Sequence, residues 1–440
     1  MALENIYEKN ELSTTGVILV SSYFEHWEKD SCLEHLNELK LLCDTLGLKT
    51  LDRMACHTRK VSASLFISTG KLEELKEKIQ ATGADLVVFD DEISPAQQRN
   101  LEKELKVHVI DRTEVIIGVF AERAETKEAR LQVELAEVKY QAPRLKRLWT
   151  HLSRQAGTAG GGAGGGAGGG GYLKGEGEKQ IEIDRRIIKR RIDRLEKEIE
   201  EVRGQRQVQR QMREKGGIPV FAIVGYTNAG KSTLMNALTD ANVFVEDKLF
   251  ATLDTKTRKF VLDNNQELLL VDTVGFIRKL PHQLVAAFKS TLEEAVKADI
   301  LIHLVDSSHP NAIEQAKTTM QVLEELGAKD KPVITVLNKI DKLEGDAEIS
   351  RLRLLYPKTV RISALQRVGF EELKEAIQRE IEALRKVVQF KIPQSEYQIV
   401  SEIMRLGRVI HQDYEENDVL IKAEVPLFLA EKFRVYAQVN

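Results

Sequence analysis

Gly225-Tyr226-Thr227-Asn228-Ala229-Gly230-Lys231-Ser232 spells G-x-x-x-x-G-K-S, the pattern of a phosphate-binding loop. Before it, Val220-Phe221-Ala222-Ile223-Val224 is a short apolar run suited to a buried strand, and Thr233 to Leu238 reads as a helix. Strand, glycine-framed loop and helix together are the setting the motif needs. The glycines let backbone N–H groups converge on phosphate oxygens, and the helix start adds its positive end. Lys231 is placed to reach the β- and γ-phosphates, and Ser232 to hold Mg²⁺.

Working outward, the chain alternates strands and helices. Strands are expected at 260–262, 268–271, 300–305, 333–337 and 360–362, and the last helix of the region from about Phe370 to Arg385. Asp272-Thr273-Val274-Gly275 follows its strand as D-x-x-G. Asp272 sits where a carboxylate supports the Mg²⁺ water shell. The Gly275 N–H can bond the γ-phosphate, and losing that bond on hydrolysis makes the segment a switch. Asn338-Lys339-Ile340-Asp341 follows another strand. The Asp341 carboxylate only accepts hydrogen bonds, and guanine offers it an N1–H and an exocyclic amine that adenine lacks. Asn338 is expected to brace the loop and the Lys339 stem to cover the base. Ser363-Ala364-Leu365 can direct backbone donors at the guanine carbonyl. In this order the motifs describe a guanine-nucleotide site.

Between phosphate loop and D-x-x-G lies Phe250-Ala251-Thr252-Leu253-Asp254. Thr252 is the leading candidate for a switch threonine that joins Ser232 as a Mg²⁺ ligand, with Thr255 and Thr257 as competitors. Lys231, Thr252 and Gly275 are thus the candidate catalytic set. Phe276 stands where Ras-like GTPases place a water-orienting glutamine, and a phenyl ring cannot hydrogen-bond water. Hydrolysis must then rely on positioning, Lys231, Mg²⁺ and a group supplied from elsewhere.

Upstream, strands are expected at 15–20, 65–67, 86–89 and 107–110, alternating with helices, one opening at Ser94-Pro95. This predicts a small α/β domain over 1–122. Gly70-Lys71 lacks the earlier glycine of a second phosphate loop and reads as a helix start. Asp90-Asp91-Glu92 reads as either a loop or a metal group. Residues 123–215 predict a two-helix arm. Leu131, Leu135, Val138, Ala142 and Leu145 repeat at four-three-four-three spacing, as do Ile188, Ile192, Leu195, Ile199 and Val202, the seams of a coiled coil. Pro143 is expected to kink or interrupt the first helix. The tip, Gly157 to Gly171, is almost only glycine and alanine, which bury no core and favour mobility. Arg144, Lys146, Arg147, Arg185, Arg186, Lys189, Arg190, Arg191 and Arg194 make the flanks basic, either a solvated face or a phosphate-binding arm. The nucleotide domain occupies 216–386. Residues 387–440 predict a small α+β module, with a helix carrying Ile399, Ile403, Leu406 and Ile410. The fold class is α/β throughout the first and third parts.

Lys+Arg 65 against Asp+Glu 68 leaves a formal charge of −3, so nucleic-acid contact would need a local basic patch. Three separated cysteines suit free thiols in a reducing compartment. The opening Met1 to Glu11 is polar, and no apolar run is long enough for a bilayer. A cytoplasmic monomer without membrane insertion is expected.

These residues resemble the HflX family of translational GTPases. The likeness rests on the phosphate loop, on Phe250 to Asp254, and on the long run Asp272-Thr273-Val274-Gly275-Phe276-Ile277-Arg278-Lys279-Leu280-Pro281-His282. Leu152-Ser153-Arg154-Gln155, Gly175-Glu176-Gly177-Glu178 and Glu182-Ile183-Asp184-Arg185-Arg186 are similar to the family's linker region. The resemblance implies a Mg²⁺-dependent hydrolase of GTP to GDP. It also implies that the protein binds the large ribosomal subunit, splits ribosomes under stress, and reaches ribosomal RNA near the peptidyl-transferase region with its arm. Thr255 departs from the family's usual proline, and the glycine run is longer than usual. A rival from another class is a nucleotide-gated scaffold that binds a protein partner with negligible turnover.

Overall fold

The computed structural model describes residues 15–158, 172–214, 218–239, 249–250, 255–279, 294–343, 345, 347–415 and 417–438. They fall into two compact units. The first runs from Thr15 to Val202 and takes in Leu249, Phe250 and Lys279; the second holds the remainder.

In the first unit, β1 (Gly16–Tyr23), β2 (Lys49–His57), β3 (Leu86–Phe89) and β4 (His108–Asp111) form a parallel sheet in the order β2-β1-β3-β4. β1 and β3 are central, and their apolar runs are buried on both faces, as parallel strands require. Helices α1 (Lys29–Thr45), α2 (Thr69–Thr82), α3 (Pro95–Leu105) and α4 (Arg112–Arg123) connect and cover them. Ser94 caps α3 in a capping box with Gln97, and Pro95 sits in its first turn, as the sequence predicts. Asp90 ends β3 fully buried and pairs with Arg112 at 2.8 Å. Lys279 Nζ lies 3.0 Å from Asp90 and 2.6 Å from Asp91. The acidic triplet is therefore an ion-pair centre; among the described residues no group of three metal-ligating side chains occurs.

The expected strand at 65–67 is absent. Only a single bridge joins Ser62 and Phe66, and Phe66 has φ 67°. The second strand is instead Lys49–His57, whose polar residues hid it: as an edge strand it fully buries only Met54 and Cys56. Pro143 also fails to stop its helix. Helix α5 runs from Lys127 to Thr158 with Pro143 inside it, because packing of its apolar seam outweighs one lost main-chain bond. That seam meets α6 (Tyr172–Glu214) in a cluster of Leu131, Leu135, Val138, Leu195 and Ile199, flanked by Ile188, Ile192 and Val202. Most of the glycine run lies outside the described residues. Arg144 is removed from the phosphate-binding reading of the arm. Its guanidinium donates to Asp111 at 3.0 Å and to Ile93 O, and lies 3.5 Å over the Tyr140 ring. Asp111 also accepts from the Tyr140 hydroxyl at 2.9 Å, which anchors the arm to the end of β4.

In the second unit, β5 (Val220–Gly225), β6 (Lys256–Val261), β7 (Glu267–Asp272), β8 (Ile300–Asp306), β9 (Val333–Asn338) and β10 (Thr359–Arg361) order as β10-β9-β8-β5-β7-β6. Only β6 is antiparallel to its neighbour. Helices α7 (Lys231–Thr239), α8 (Ala312–Glu325), α9 (Ala347–Leu355) and α10 (Phe370–Ala383) accompany the sheet. α10 presents Leu373, Ile377 and Ile381 to the core that Phe221, Leu268 and Ile302 share. A second sheet, β11 (Arg385–Pro393), β12 (Arg408–Glu415) and β13 (Asp418–Pro426), is antiparallel in the order β11-β13-β12 and packs on α11 (Tyr397–Leu406) and α12 (Leu427–Lys432). α11 ends at Gly407, so Ile410 belongs to β12 and not to the predicted helix.

His303 lies fully buried at the centre of β8, edge-on to Tyr356, and among the described residues neither ring nitrogen has a hydrogen-bond partner. Burial pushes its pKa down to about 4. The unfolded chain, with a histidine pKa near ~6.5, takes up a proton that the folded state refuses. The second unit should therefore lose stability as pH falls from about 6.5 towards 4, by about 1.4 kcal/mol between pH 7.5 and 5.5. Urea unfolding of the protein and of His303→Leu at both values checks this; the pH-dependent difference between them should equal that amount.

Candidate nucleotide site

β5 lies between β8 and β7, where the strand order runs outward in both directions. Ligands of open α/β sheets bind at such a switch point, beyond the carboxyl ends of the strands. The phosphate loop leaves β5 there, and its shape is enforced by crowding. A Cβ on Gly225 (φ 155°) would lie 2.2 Å from the Leu304 carbonyl oxygen, and one on Gly230 (φ 96°) 2.5 Å from Asn338 Nδ2. Asn228 adopts φ 60°, a left-handed conformation that asparagine tolerates.

Lys231 opens α7 with its side chain turned inward. Its Nζ donates to the carbonyls of Gly225 at 3.1 Å and Tyr226 at 2.8 Å. Burial lowers its pKa to about 8, against the opposing pull of the Asp272 carboxylate. A buried ammonium that bonds two loop carbonyls suits an anion brought beside it. Ser232 Oγ donates to Asp272 Oδ2 at 2.7 Å. This hydroxyl and carboxylate are the hard oxygen donors that Mg²⁺ takes, and they converge beside the loop. The residues thus fit the metal that the motif implies, which Ser232 and Asp272 would hold. Thr273 Oγ1 donates to Ile223 O at 2.7 Å, and Val274 is buried; these two residues fix the D-x-x-G segment to β5.

At the base end, Asn338 is buried and bifunctional. Its Nδ2 donates to Ala229 O at 2.8 Å, and its Oδ1 accepts from Ala364 N at 2.9 Å. Asp341 Oδ1 accepts from Ser363 Oγ at 2.5 Å. Lys339 has φ 62°, and its Nζ pairs with Asp306 at 2.7 Å. Ile340 is half-buried in the short turn that presents Asp341, and Leu365 is exposed. Phosphate loop, D-x-x-G, N-K-x-D and S-A-L are therefore brought to one edge of one sheet. Phe250 is placed in the first unit, edge-on to Phe120 with centroids 4.5 Å apart. Ala251, Thr252, Leu253 and Asp254 lie outside the described residues.

Comparison with known proteins adds the lineage. Residues 33–121 match the family described as GTP-binding GTPase N-terminal, and 123–213 match its middle region. Residues 220–339 match 50S ribosome-binding GTPase. A protein named GTPase HflX from Chlamydia pneumoniae is 45% identical over 429 residues, covering 97% of this chain and 89% of the relative. GTPase HflX of Escherichia coli K12 is 38% identical over 422 residues, covering 96% and 95%. The chain belongs to the HflX family of GTPases.

An HflX-family member is a GTP hydrolase. Sequence reading missed how the D-x-x-G segment closes. Thr227 N–H donates to Phe276 O at 2.7 Å, Phe276 N–H to Gly225 O at 3.0 Å, and Arg278 N–H to the Tyr226 hydroxyl at 2.8 Å. Phe276 itself is buried, which accounts for an apolar residue where glutamine is usual. The Asp306 partner of Lys339 was also missed; an acidic residue at the end of a strand next to N-K-x-D was the available signal.

The lowered pKa of Lys231 makes nucleotide binding pH-dependent. Phosphates favour the charged ammonium, so binding takes up a proton wherever the free protein has lost it. GDP affinity should fall roughly fourfold from pH 7 to 8.5. Calorimetric titration in buffers of different ionisation enthalpy measures both the affinity and the proton uptake.

Proposed function

We propose that this protein is a Mg²⁺-dependent GTPase that binds the large ribosomal subunit and splits or rescues ribosomes under stress. The nucleotide half is carried by Asn338, whose two ends join the phosphate loop to the base-reading loop. In this reading Asp341 selects guanine, backbone donors of Ser363 to Leu365 meet its carbonyl, and Lys339 covers the ring. Lys231 and the N–H groups of 225–232 hold the phosphates, while Ser232 and Thr252 ligate Mg²⁺. Gly275 reports on the γ-phosphate. Mg²⁺ supplies charge stabilisation at the transferred phosphoryl group.

The ribosome half is supported by the match of 220–339 to 50S ribosome-binding GTPase and by the basic arm. We assign 1–122 to an α/β domain, 123–215 to the arm, 216–386 to the nucleotide domain and 387–440 to the C-terminal module. The working form is a cytoplasmic monomer. With Phe276 in place of a water-orienting side chain, intrinsic hydrolysis is slow. Ribosomal RNA then orders the switches or supplies the missing group, and a tenfold gain needs only about 1.4 kcal/mol.

Two measurements test the proposal. Asp341→Asn should weaken GTP binding and improve the relative affinity for xanthosine triphosphate, whose ring offers an acceptor in place of the amine; unchanged GTP affinity would remove Asp341 as the base reader. Large subunits should raise GTP turnover at least tenfold and sediment more of the GTP-bound than the GDP-bound protein. Nucleotide binding without either effect would favour the scaffold.

A further inference from the structure

Tyr226 occupies a loop position where the phosphate-binding backbone makes no demand on the side chain, yet it is a large, buried aromatic. Its hydroxyl accepts the Arg278 N–H at 2.8 Å, three residues beyond Gly275. Together with the two main-chain bonds of Phe276 to Gly225 and Thr227, it forms a short parallel bridge between the phosphate loop and the D-x-x-G segment. The bridge brings Gly275 down onto the loop. A Cβ at Gly275 would lie 2.8 Å from Thr227 Cγ2 and 2.9 Å from Lys231 Nζ, so a side chain at 275 would meet both.

A γ-phosphoryl group held by both Lys231 and the Gly275 N–H must sit between them, with a hydrogen bond of about 2.7–3.1 Å on each side. The closed bridge narrows that space, because the D-x-x-G segment is hydrogen-bonded directly to the phosphate loop at Phe276 and Arg278, just past Gly275. The diphosphate makes no such demand. We propose that Tyr226 is a specificity-determining residue: its hydroxyl latches the D-x-x-G segment shut and so biases the site towards guanosine diphosphate over the triphosphate. The proposal rests on the guanine-nucleotide reading above. Two of the three bonds are main-chain and available to any residue at 226. The third depends on the tyrosine hydroxyl, which makes the bias separable from the loop's shape. Opening the segment is the toll on triphosphate binding, since a ligand that binds only the open form sees its affinity reduced by the open fraction.

Tyr226→Phe keeps the ring and removes the latch. One hydrogen bond is worth roughly a fivefold change in the open–closed equilibrium. The affinity ratio of the imido analogue of GTP to GDP should therefore rise about fivefold, read by titration of the full chain with Mg²⁺. A purely structural role for Tyr226 would weaken both nucleotides together and leave the ratio unchanged, which overturns the proposal. A second readout needs no variant. Amide exchange at Arg278 in the unaltered protein should be slow with GDP and speed up at least fivefold with the imido analogue. Equal protection in both states overturns the latch. If the unaltered protein binds neither nucleotide, the guanine reading itself fails, and that outcome is distinct from an unchanged ratio.

Discussion

Both ends of one buried amide hold the nucleotide site together. Asn338 sits at the last position of β9, donates to the phosphate loop at Ala229 and accepts from the base loop at Ala364. Its own carbonyl accepts from the N–H and hydroxyl of Ser307, just past β8. One residue thus fixes the loops that follow four strands. The crowding at Gly230 is a consequence: the amide approaches so closely that only glycine fits opposite it. An aspartate at 338 would lose the donor, and a leucine both partners, leaving buried main-chain groups unsatisfied. The distance between phosphate and base recognition is set by this side chain and not by the loops themselves.

What the sequence revealed followed from how tightly each element is constrained locally. The phosphate loop was legible because steric demands at Gly225 and Gly230 admit few residues, and the flanking strand is apolar on both faces. N-K-x-D and D-x-x-G were legible for the same reason: each is a functional group at a strand end. β2 was not, because an edge strand buries one face, and Lys49, Asp52 and Arg53 mask the pattern of Met54 and Cys56. The four-three-four spacing of Ile399, Ile403, Leu406 and Ile410 suits one helix, but Gly407 ends it and the chain turns into β12 at Arg408. Arg144 shows a further limit. Its charge is visible in the sequence, but its use within the first unit, on Asp111 and the Tyr140 ring, depends on folding.

The electrostatics of the phosphate end follow from burial. Lys231 is held away from water with carbonyl oxygens as its nearest partners, and the carboxylate of Asp272 is engaged by Ser232. Neither charge is fully neutralised by the other, which is why burial can depress the lysine. A polyanion with a divalent cation supplies what both lack: negative oxygens for the ammonium and a hard cation for the hydroxyl and carboxylate. Phosphates and Mg²⁺ are therefore expected to bind cooperatively, each reducing the cost of desolvating the other's partner.

The groups that a ligand would use have protein partners. Lys231 bonds two loop carbonyls, Thr227 N–H bonds Phe276 O, and Ser232 bonds Asp272. Binding is then an exchange of hydrogen bonds, so its net gain is small per bond and comes chiefly from charge. The same exchange offers a way for a site with Phe276 after its D-x-x-G to respond to its surroundings. The D-x-x-G segment is bonded to the phosphate loop, and in the proposed reading it would exchange those bonds for the terminal phosphate. A contact made elsewhere on that segment needs to supply only a little free energy to tip it from one to the other.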